Sequence, residues 1–540
     1  MSGYLKTLKS SRSHSDLRCL LVHDGSPIMA SGMPALARLL RDRGIACELR
    51  NLDSERRGGA ADDFGRTVGD FDILGISMHW FYQIPAALEA AARARKASDN
   101  IFIVAGGFTA AFFADEIVRT QGDIDAVIRG DAEAPLVMLC DELAKKKPSL
   151  TNVPNLVFRG SGGRAVRSRA PVYAATAKML DLLDFGDMSC LRNPALYRKY
   201  SSWREITDGS SDIGFDIDST FYMCGGRGCS VQCMACGGGR KSHAIHSMRK
   251  GAHLFRSPER IADDAQEAVG AGYGSIHACF DPVPDGKHWF DFMKQMRKRR
   301  IRTNLIFECF GLPSKKFLRA VRETFENAVI VLSPETSVDS ARKKSRGFYF
   351  TSRQLTTCLE WIGREGLSAQ VFFAYFQPGE SEKTVNRNLD FIDGLLSAHG
   401  GFAHVFYYPC STDPCSPVSL QPEKLGMTCE IGSFQDYRRE LAWGDRLRGN
   451  LQRHFPEGRS RRYWDILALR IELETACRRH GPRNADTIRS KLGDRTGDFY
   501  MELAKKISEG RDITLIERGS LHEQVMMHAL MKRIIIGGVF

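Results

Sequence analysis

Four cysteines fall within thirteen residues of the stretch CGGRGCSVQCMACGGG (224–239), out of fifteen in a chain of 540 residues. Cys229, Cys233 and Cys236 are spaced C-x3-C-x2-C, and Cys224 stands five residues before Cys229. Structural zinc usually joins two C-x2-C knuckles across a longer spacer, whereas this run holds one knuckle among glycines that match no finger. Ferredoxin runs use C-x2-C-x2-C or C-x4-C-x2-C with a fourth cysteine ligand. Three thiolates on one short loop suit three irons of a [4Fe–4S] cluster and leave the fourth iron open for substrate chemistry. Acidic groups form a second set: Asp281, Glu308 and Glu335 each close an apolar run. Gly106, Gly107 and Gly130 form a third, just past two apolar runs nearer the N-terminus, where a ligand can lie close to the backbone.

The elements that would position these groups fall into two β/α series. In the first, LRCLLVHDG (17–25), ACELRNLD (46–53), FDILGISMHW (71–80), IFIVAGGFTA (101–110) and DAVIRGDAEAP (125–135) read as strand passages. MPALARLLRDRG and IPAALEAAARARKA read as helices between them. This alternation predicts an open parallel sheet, whose ligands lie beyond the carboxyl ends of its strands. The second series has strand candidates at 274–281, 303–311, 328–336, 368–376 and 402–409. Its polar strand ends lie where a β/α barrel gathers its active site. The expected division is 1–160, a Rossmann-like domain; 161–215, an irregular linker; 216–425, a partial (β/α)6 barrel; and 426–540, a mainly helical capping region. The terminal KRIIIGGVF reads as a buried strand.

Bulk properties narrow the setting. Hydrophobic content of 43% and charged content of 26% are those of a soluble globular enzyme or assembly protein. The N-terminal stretch has no apolar core of the secretory kind, and no apolar run reaches the length of a membrane span. A cytoplasmic location with reduced thiols is therefore expected. The net charge of +12, with MRKRRIR and EGRSRRYW, invites a nucleic-acid partner. Neither run carries a recognition motif, and 64 acidic residues are spread along the chain, so a solvated basic surface is the expected reading.

The C-x3-C-x2-C loop, trailed by Gly237-Gly238-Gly239, resembles that of the radical S-adenosylmethionine superfamily. The resemblance implies that the open iron chelates S-adenosylmethionine, whose one-electron cleavage yields methionine and a 5′-deoxyadenosyl radical. It implies further that Gly237 and Gly238 line the methionine part and Asp281 lies near the amino group. Ser333 and Glu335 would meet the ribose, and Gly379 the adenine, with Glu380 beside it. The passages IVAGGFTAAFFADEI, DAVIRGDAEAPL and NLVFRG resemble the cobalamin-binding domain of cobalamin-dependent radical enzymes, extending the likeness over 17–425. The D-x-H-x-x-G motif of the methionine synthase type is missing; HDGSPIMASG stands there, as is usual in the radical branch. By this resemblance Ser77, Met78, His79 and Trp80 face the lower side of the corrin. Gly106, Gly107, Thr109, Gly130 and Glu133 lie by the nucleotide tail.

The expected activity is therefore methylation of an unactivated carbon in a small-molecule or peptide precursor, using methylcobalamin and S-adenosylmethionine. An electron donor such as flavodoxin or ferredoxin is implied. Glu308 and Asp413 are the candidate substrate contacts. Relatives with the same domains also carry out rearrangement or cyclisation, and spacing does not separate these. A tRNA methylthiotransferase would carry more cluster cysteines near its N-terminus, where Cys19, Cys47 and Cys140 are scattered. A noncatalytic cobalamin sensor has no use for an open cluster. Cys224 stands apart from the three ligands, where a small residue closing the first barrel strand is expected.

Overall fold

The computed structural model describes residues 17–203, 219–248, 253–279, 286–346, 349–410 and 412–442, with a few further positions. Asp281, most of the expected C-terminal helices and the terminal KRIIIGGVF lie outside the described residues.

Seven strands form the first sheet: β1 (Arg18–His23), β2 (Ala46–Asn51), β3 (Ile73–Ser77), β4 (Phe102–Gly106), β5 (Ala126–Ile128), β6 (Leu156–Arg159) and β7 (Ala165–Arg167). Their order is β2-β1-β3-β4-β5-β6-β7. The first five are parallel, and β6 and β7 are added antiparallel at one edge. The near-continuous apolar strands reflect burial on both faces. One face packs under helices Gly32–Arg41 and Glu133–Leu143, the other under Ile84–Ala97 and Ala114–Thr120. The second face is completed by Phe434, Tyr437 and Leu441 of the helix Phe434–Ala442. In the order 2-1-3-4-5 the chain reverses direction between β1 and β3, and the loops after those strands part to open a crevice.

The second unit contains β8 (Thr220–Tyr222), an antiparallel pair of β9 (Gly226–Gly228) and β10 (His253–Phe255), then β11 (Ser275–Ala278), β12 (Asn304–Cys309), β13 (Ala328–Glu335), β14 (Ser368–Tyr375) and β15 (Ala403–Pro409). Six of these run parallel in the order β15-β14-β13-β12-β11-β8, the sheet of a six-stranded partial barrel. Outward residues such as Leu305, Phe307, Val371 and Phe373 join the apolar core beneath the helices. Inward residues Ile306, Val329 and Val331 make a separate floor inside it.

The segment read as a linker is more ordered than its sequence suggests. Residues 165–167 form the edge strand β7, too short to show an alternating pattern. Farther on, Tyr173, Leu180, Leu183, Phe185 and Tyr197 are buried against both units. Trp203 closes the barrel floor, fully buried, with its indole N–H donating to Gln370 Oε1 at 2.6 Å. Truncating a buried tryptophan of this kind costs roughly 3–5 kcal/mol. Among the described residues no helix is long and apolar enough to cross a membrane.

Candidate active site

The cysteine loop follows the short strand β9 and ends at the helix Arg240–Ser247. Cys229 and Cys233 are half-buried and Cys236 is exposed; none of the described cysteines is in a disulfide. Backbone N–H groups of Val231 and Gly238 donate to the sulfurs of Cys229 (3.4 Å) and Cys236 (3.3 Å). Among the described residues no three His, Cys, Asp or Glu side chains converge on one point as a single ion requires. A [4Fe–4S] cluster makes no such demand, because each cysteine binds a different iron; four-coordinate zinc does. Three cysteines on one short loop, each able to bind a different iron, fit a [4Fe–4S] cluster. Cys224 is buried in the apolar core, its carbonyl accepting from Arg256 Nη1 at 3.0 Å.

Asp413 fastens this loop. Its Oδ2 accepts from the Gly237 N–H at 3.0 Å, and its own N–H donates to the Ala235 carbonyl at 3.0 Å. Burial raises its carboxyl to about 6, against the opposing pull of the Gly237 N–H. A methyl group at Gly237 would lie 2.6 Å from the Pro414 carbonyl, so glycine is required there by packing. Gly238 is roomier: its methyl would meet Phe108 at 3.5 Å and the Cys236 sulfur at 3.7 Å.

Above the loop, β13 bulges between Leu332 and Glu335, and Glu335 takes a positive φ of 64°. Ser333 is half-buried at the bulge. Glu335 accepts from Arg346 Nη1 at 2.5 Å and from Gln377 Nε2 at 3.1 Å. Neither Arg346 nor Gln377 stood out in the sequence, since a lone arginine at a helix end carries no spacing signal. Arg346 is buried, its Nε and Nη2 have no hydrogen-bond partner among the described residues, and the charges of Cys233 and Cys236 act on it. Two unfilled guanidinium donors beside the cysteine loop fit the carboxylate of S-adenosylmethionine. Gly379 is open around its α-carbon, with φ 75°. Glu380 instead turns inward to accept from the Phe376 and Gln377 N–H groups, and burial raises its carboxyl to about 8.

At the mouth of the first sheet, Ser77 and Met78 are buried, while His79 and Trp80 form the rim. Gln83 holds this loop: its Oε1 accepts from the His79 and Trp80 N–H groups, each at 2.9 Å, and its Nε2 donates to the Asp24 carbonyl at 3.0 Å. Thr109 Oγ1 donates to the His79 carbonyl at 3.1 Å. Gly107, at φ 109°, lies so close to His79 that a methyl there would sit 2.6 Å from its α-carbon. The His79 ring stacks on Phe108 (4.4 Å), with Trp80 edge-on to it and 37% exposed. Burial, helped by Arg227 and the neighbouring imidazoles, holds His79 neutral, down to about 3. An exposed aromatic rim with neutral imidazole, at the crevice of a doubly wound sheet, fits a flat macrocycle such as a corrin.

The two mouths touch. Phe108 stacks on His246 (5.1 Å), whose Nε2 lies 3.0 Å from the Gly237 carbonyl. A methyl at Gly130 would lie 2.9 Å from the α-carbon of Ser247, so this glycine faces the helix that follows the cysteine loop. Arg227, two residues before Cys229, pairs with Asp131 at 2.9 Å and with the buried Glu133. Glu133 is thus engaged by the barrel. Asp281 lies outside the described residues, and Glu308 faces the barrel lumen on β12.

Residues 17–139 match the family model for the B12 binding domain. The hopanoid C-3 methylase of Methylococcus capsulatus (strain ATCC 33009 / NCIMB 11132 / Bath) is 27% identical over 129 residues, 23% of this chain and 24% of that protein. The chain thus spans about a quarter of that relative's length. Among solved structures, the radical S-adenosylmethionine methyltransferase TsrM from Kitasatospora setae, with cobalamin and a [4Fe–4S] cluster bound, aligns at a TM-score of 0.60. It is 14% identical, covering 91% of this chain and 100% of that one. The cobalamin-dependent S-adenosylmethionine radical enzyme OxsB, with aqua-cobalamin and S-adenosylmethionine bound, aligns at 0.57 with 14% identity, over 92% and 76%. At these identities the likeness is one of fold.

Proposed function

From a B12-binding domain joined to the fold of cobalamin-dependent S-adenosylmethionine radical enzymes, we infer a cobalamin-dependent radical enzyme that methylates carbon in a small molecule or peptide. The observation that carries this reading is the meeting of the two mouths at Phe108, Gly238 and His246. A methyl carrier at one mouth and a radical source at the other have to view one cavity.

When bound, the cluster would supply an electron to S-adenosylmethionine, and cobalamin would carry the methyl group. The chain's own residues do the placing. Cys229, Cys233 and Cys236 would hold the cluster, with Asp413 keeping the glycine turn beside it in shape. Arg346 would receive the carboxylate of S-adenosylmethionine, while Glu335 and Gln377 present acceptors and donors where the ribose is expected. His79, Trp80 and Phe108 would exclude water from the lower corrin face.

The test is anaerobic reconstitution with iron, sulfide and cobalamin, followed by S-adenosylmethionine labelled in its methyl group, a reductant and candidate substrates. Label recovered in product supports methyl transfer. Turnover that leaves the label in S-adenosylmethionine or methionine and rearranges the substrate would replace it with a cyclase or mutase reading. A protein that binds neither cluster nor cobalamin overturns both.

A further inference from the structure

Along β12 and β14 the two sides of the barrel wall differ. Outward Leu305, Phe307, Val371 and Phe373 are buried beneath helices. On the inner side Glu308 remains 30% exposed, and Tyr222, Phe372 and Tyr408 are half-buried. Below them Trp203, Ile306, Val329 and Val331 seal the floor. Among the described residues the lumen is thus closed at its floor, and Glu308 is partly exposed at the other end.

Among the described residues Glu308 is the carboxylate on this inner wall. Burial alone would raise its carboxyl, but His277, the Cys279 thiol and the more distant charge of Arg346 more than reverse that and keep it ionised. The support is thin in hydrogen bonds. His277 Nε2 stands 3.7 Å from Glu308 Oε1, an ion pair when the imidazole is protonated but too long for a hydrogen bond. Among the described residues no lysine or arginine pairs with Glu308, and Arg346 is turned to Glu335. A half-buried carboxylate so placed is stabilised by an added cation. The lumen also holds an aromatic wall: Phe372 stacks on Phe406 (4.7 Å, 14°), and Phe406 on Tyr408 (5.8 Å, 15°). Aromatic faces favour cations and apolar bodies and give an anion nothing.

We propose that the barrel lumen selects a basic substrate, a protonated amine or amidine on an apolar or aromatic body, with its cation seated on Glu308. This rests on the reading that the barrel mouth is where the substrate reacts. It goes further by fixing the substrate's charge and the end that enters first.

Cys279, one residue past β11 and in contact with Glu308, reports occupancy without any turnover. The reconstituted holoenzyme is treated with iodoacetamide in the presence of 4-phenylbutylamine, its neutral analogue 4-phenylbutanol, or 4-phenylbutyrate, and labelling of Cys279 is followed by mass spectrometry. The amine is expected to protect Cys279 at about tenfold lower concentration than the alcohol, the scale of one charge-assisted contact. Glu308→Gln should abolish that preference, and Glu308→Asp should retain part of it, both variants keeping wild-type cofactor absorbance. Equal protection by all three probes, no protection by the amine at millimolar concentration, or a preference that survives Glu308→Gln overturns the proposal. So does Glu308→Gln weakening S-adenosylmethionine binding in place of amine binding. Failure of the underlying functional reading would appear separately, as missing iron–sulfur and corrin absorbance.

Discussion

The two sheets share a parallel α/β plan and present opposite chemistry at their mouths. The first offers His79, Trp80 and Phe108, with burial holding His79 and His23 neutral. The second offers three cysteines, the Glu335–Arg346 pair, Glu308 and Asp413. A flat, weakly charged ligand is gripped by stacking and shape, whereas a charged amino-acid ligand beside a metal cluster needs fixed ions and thiolates. The loops therefore divide the chemistry, and the sheets below only hold them in register.

The most severe way to break this division is at the cysteine loop. Cys233→Ala should abolish the cluster, seen as loss of iron and of its visible absorbance, and with it S-adenosylmethionine cleavage. Cobalamin retention should be unchanged, because its mouth lies on the other sheet. Next is the seam. Arg227→Met leaves Asp131 and Glu133 buried without their cation and should lower stability by about 3–5 kcal/mol in denaturant unfolding. Adding Glu133→Gln and Asp131→Asn should recover much of that loss. Within the charged mouth, Arg346→Gln should weaken S-adenosylmethionine by about 1.5–3 kcal/mol in equilibrium dialysis, with cluster absorbance intact. In the aromatic mouth, Phe108→Ala should weaken cobalamin by about 1 kcal/mol and leave S-adenosylmethionine affinity alone.

A change of pH sharpens the contrast most directly. His23 and His79 have folded values of about 4 and about 3, below the ordinary 6.5, so below pH 6.5 the unfolded chain takes up protons the folded chain refuses. Their contribution is full above 6.5 and is lost as pH falls. Glu380 runs the other way: raised from 4.5 to about 8, it contributes most below 4.5 and costs stability as pH rises through 8. Hydrogen exchange resolved by peptide should show β1 and β3 loosening on acidification to pH 5 while the turn after β14 tightens. Glu380→Gln should remove the second response and spare the first.

Much of this was legible in the sequence. The strands β1 to β5 and β11 to β15 fall inside the apolar runs that announced them, because strands buried on both faces write continuous hydrophobic stretches. The three cysteines stand on one loop, as their spacing implies. What stayed hidden depends on distance along the chain. Arg346 reaches the cysteine loop from more than a hundred residues away, and Gln83 acts by bonding to backbone, which any glutamine could do in a helix. The pairing of Glu133 with Arg227 is likewise invisible until two sheets are placed side by side. The segment 161–203 hid its order for another reason: irregular chain can be buried without any repeating pattern, as Tyr173, Phe185 and Trp203 show.

The Arg227 ion pair also has a mechanical meaning. Its anchor points are the loop after β5 on one side and a residue two places from Cys229 on the other. Any swing that parts the two sheets at this seam pulls on the loop that carries Cys229. Opening to admit a corrin and disturbing the cluster loop are, at this point, one movement.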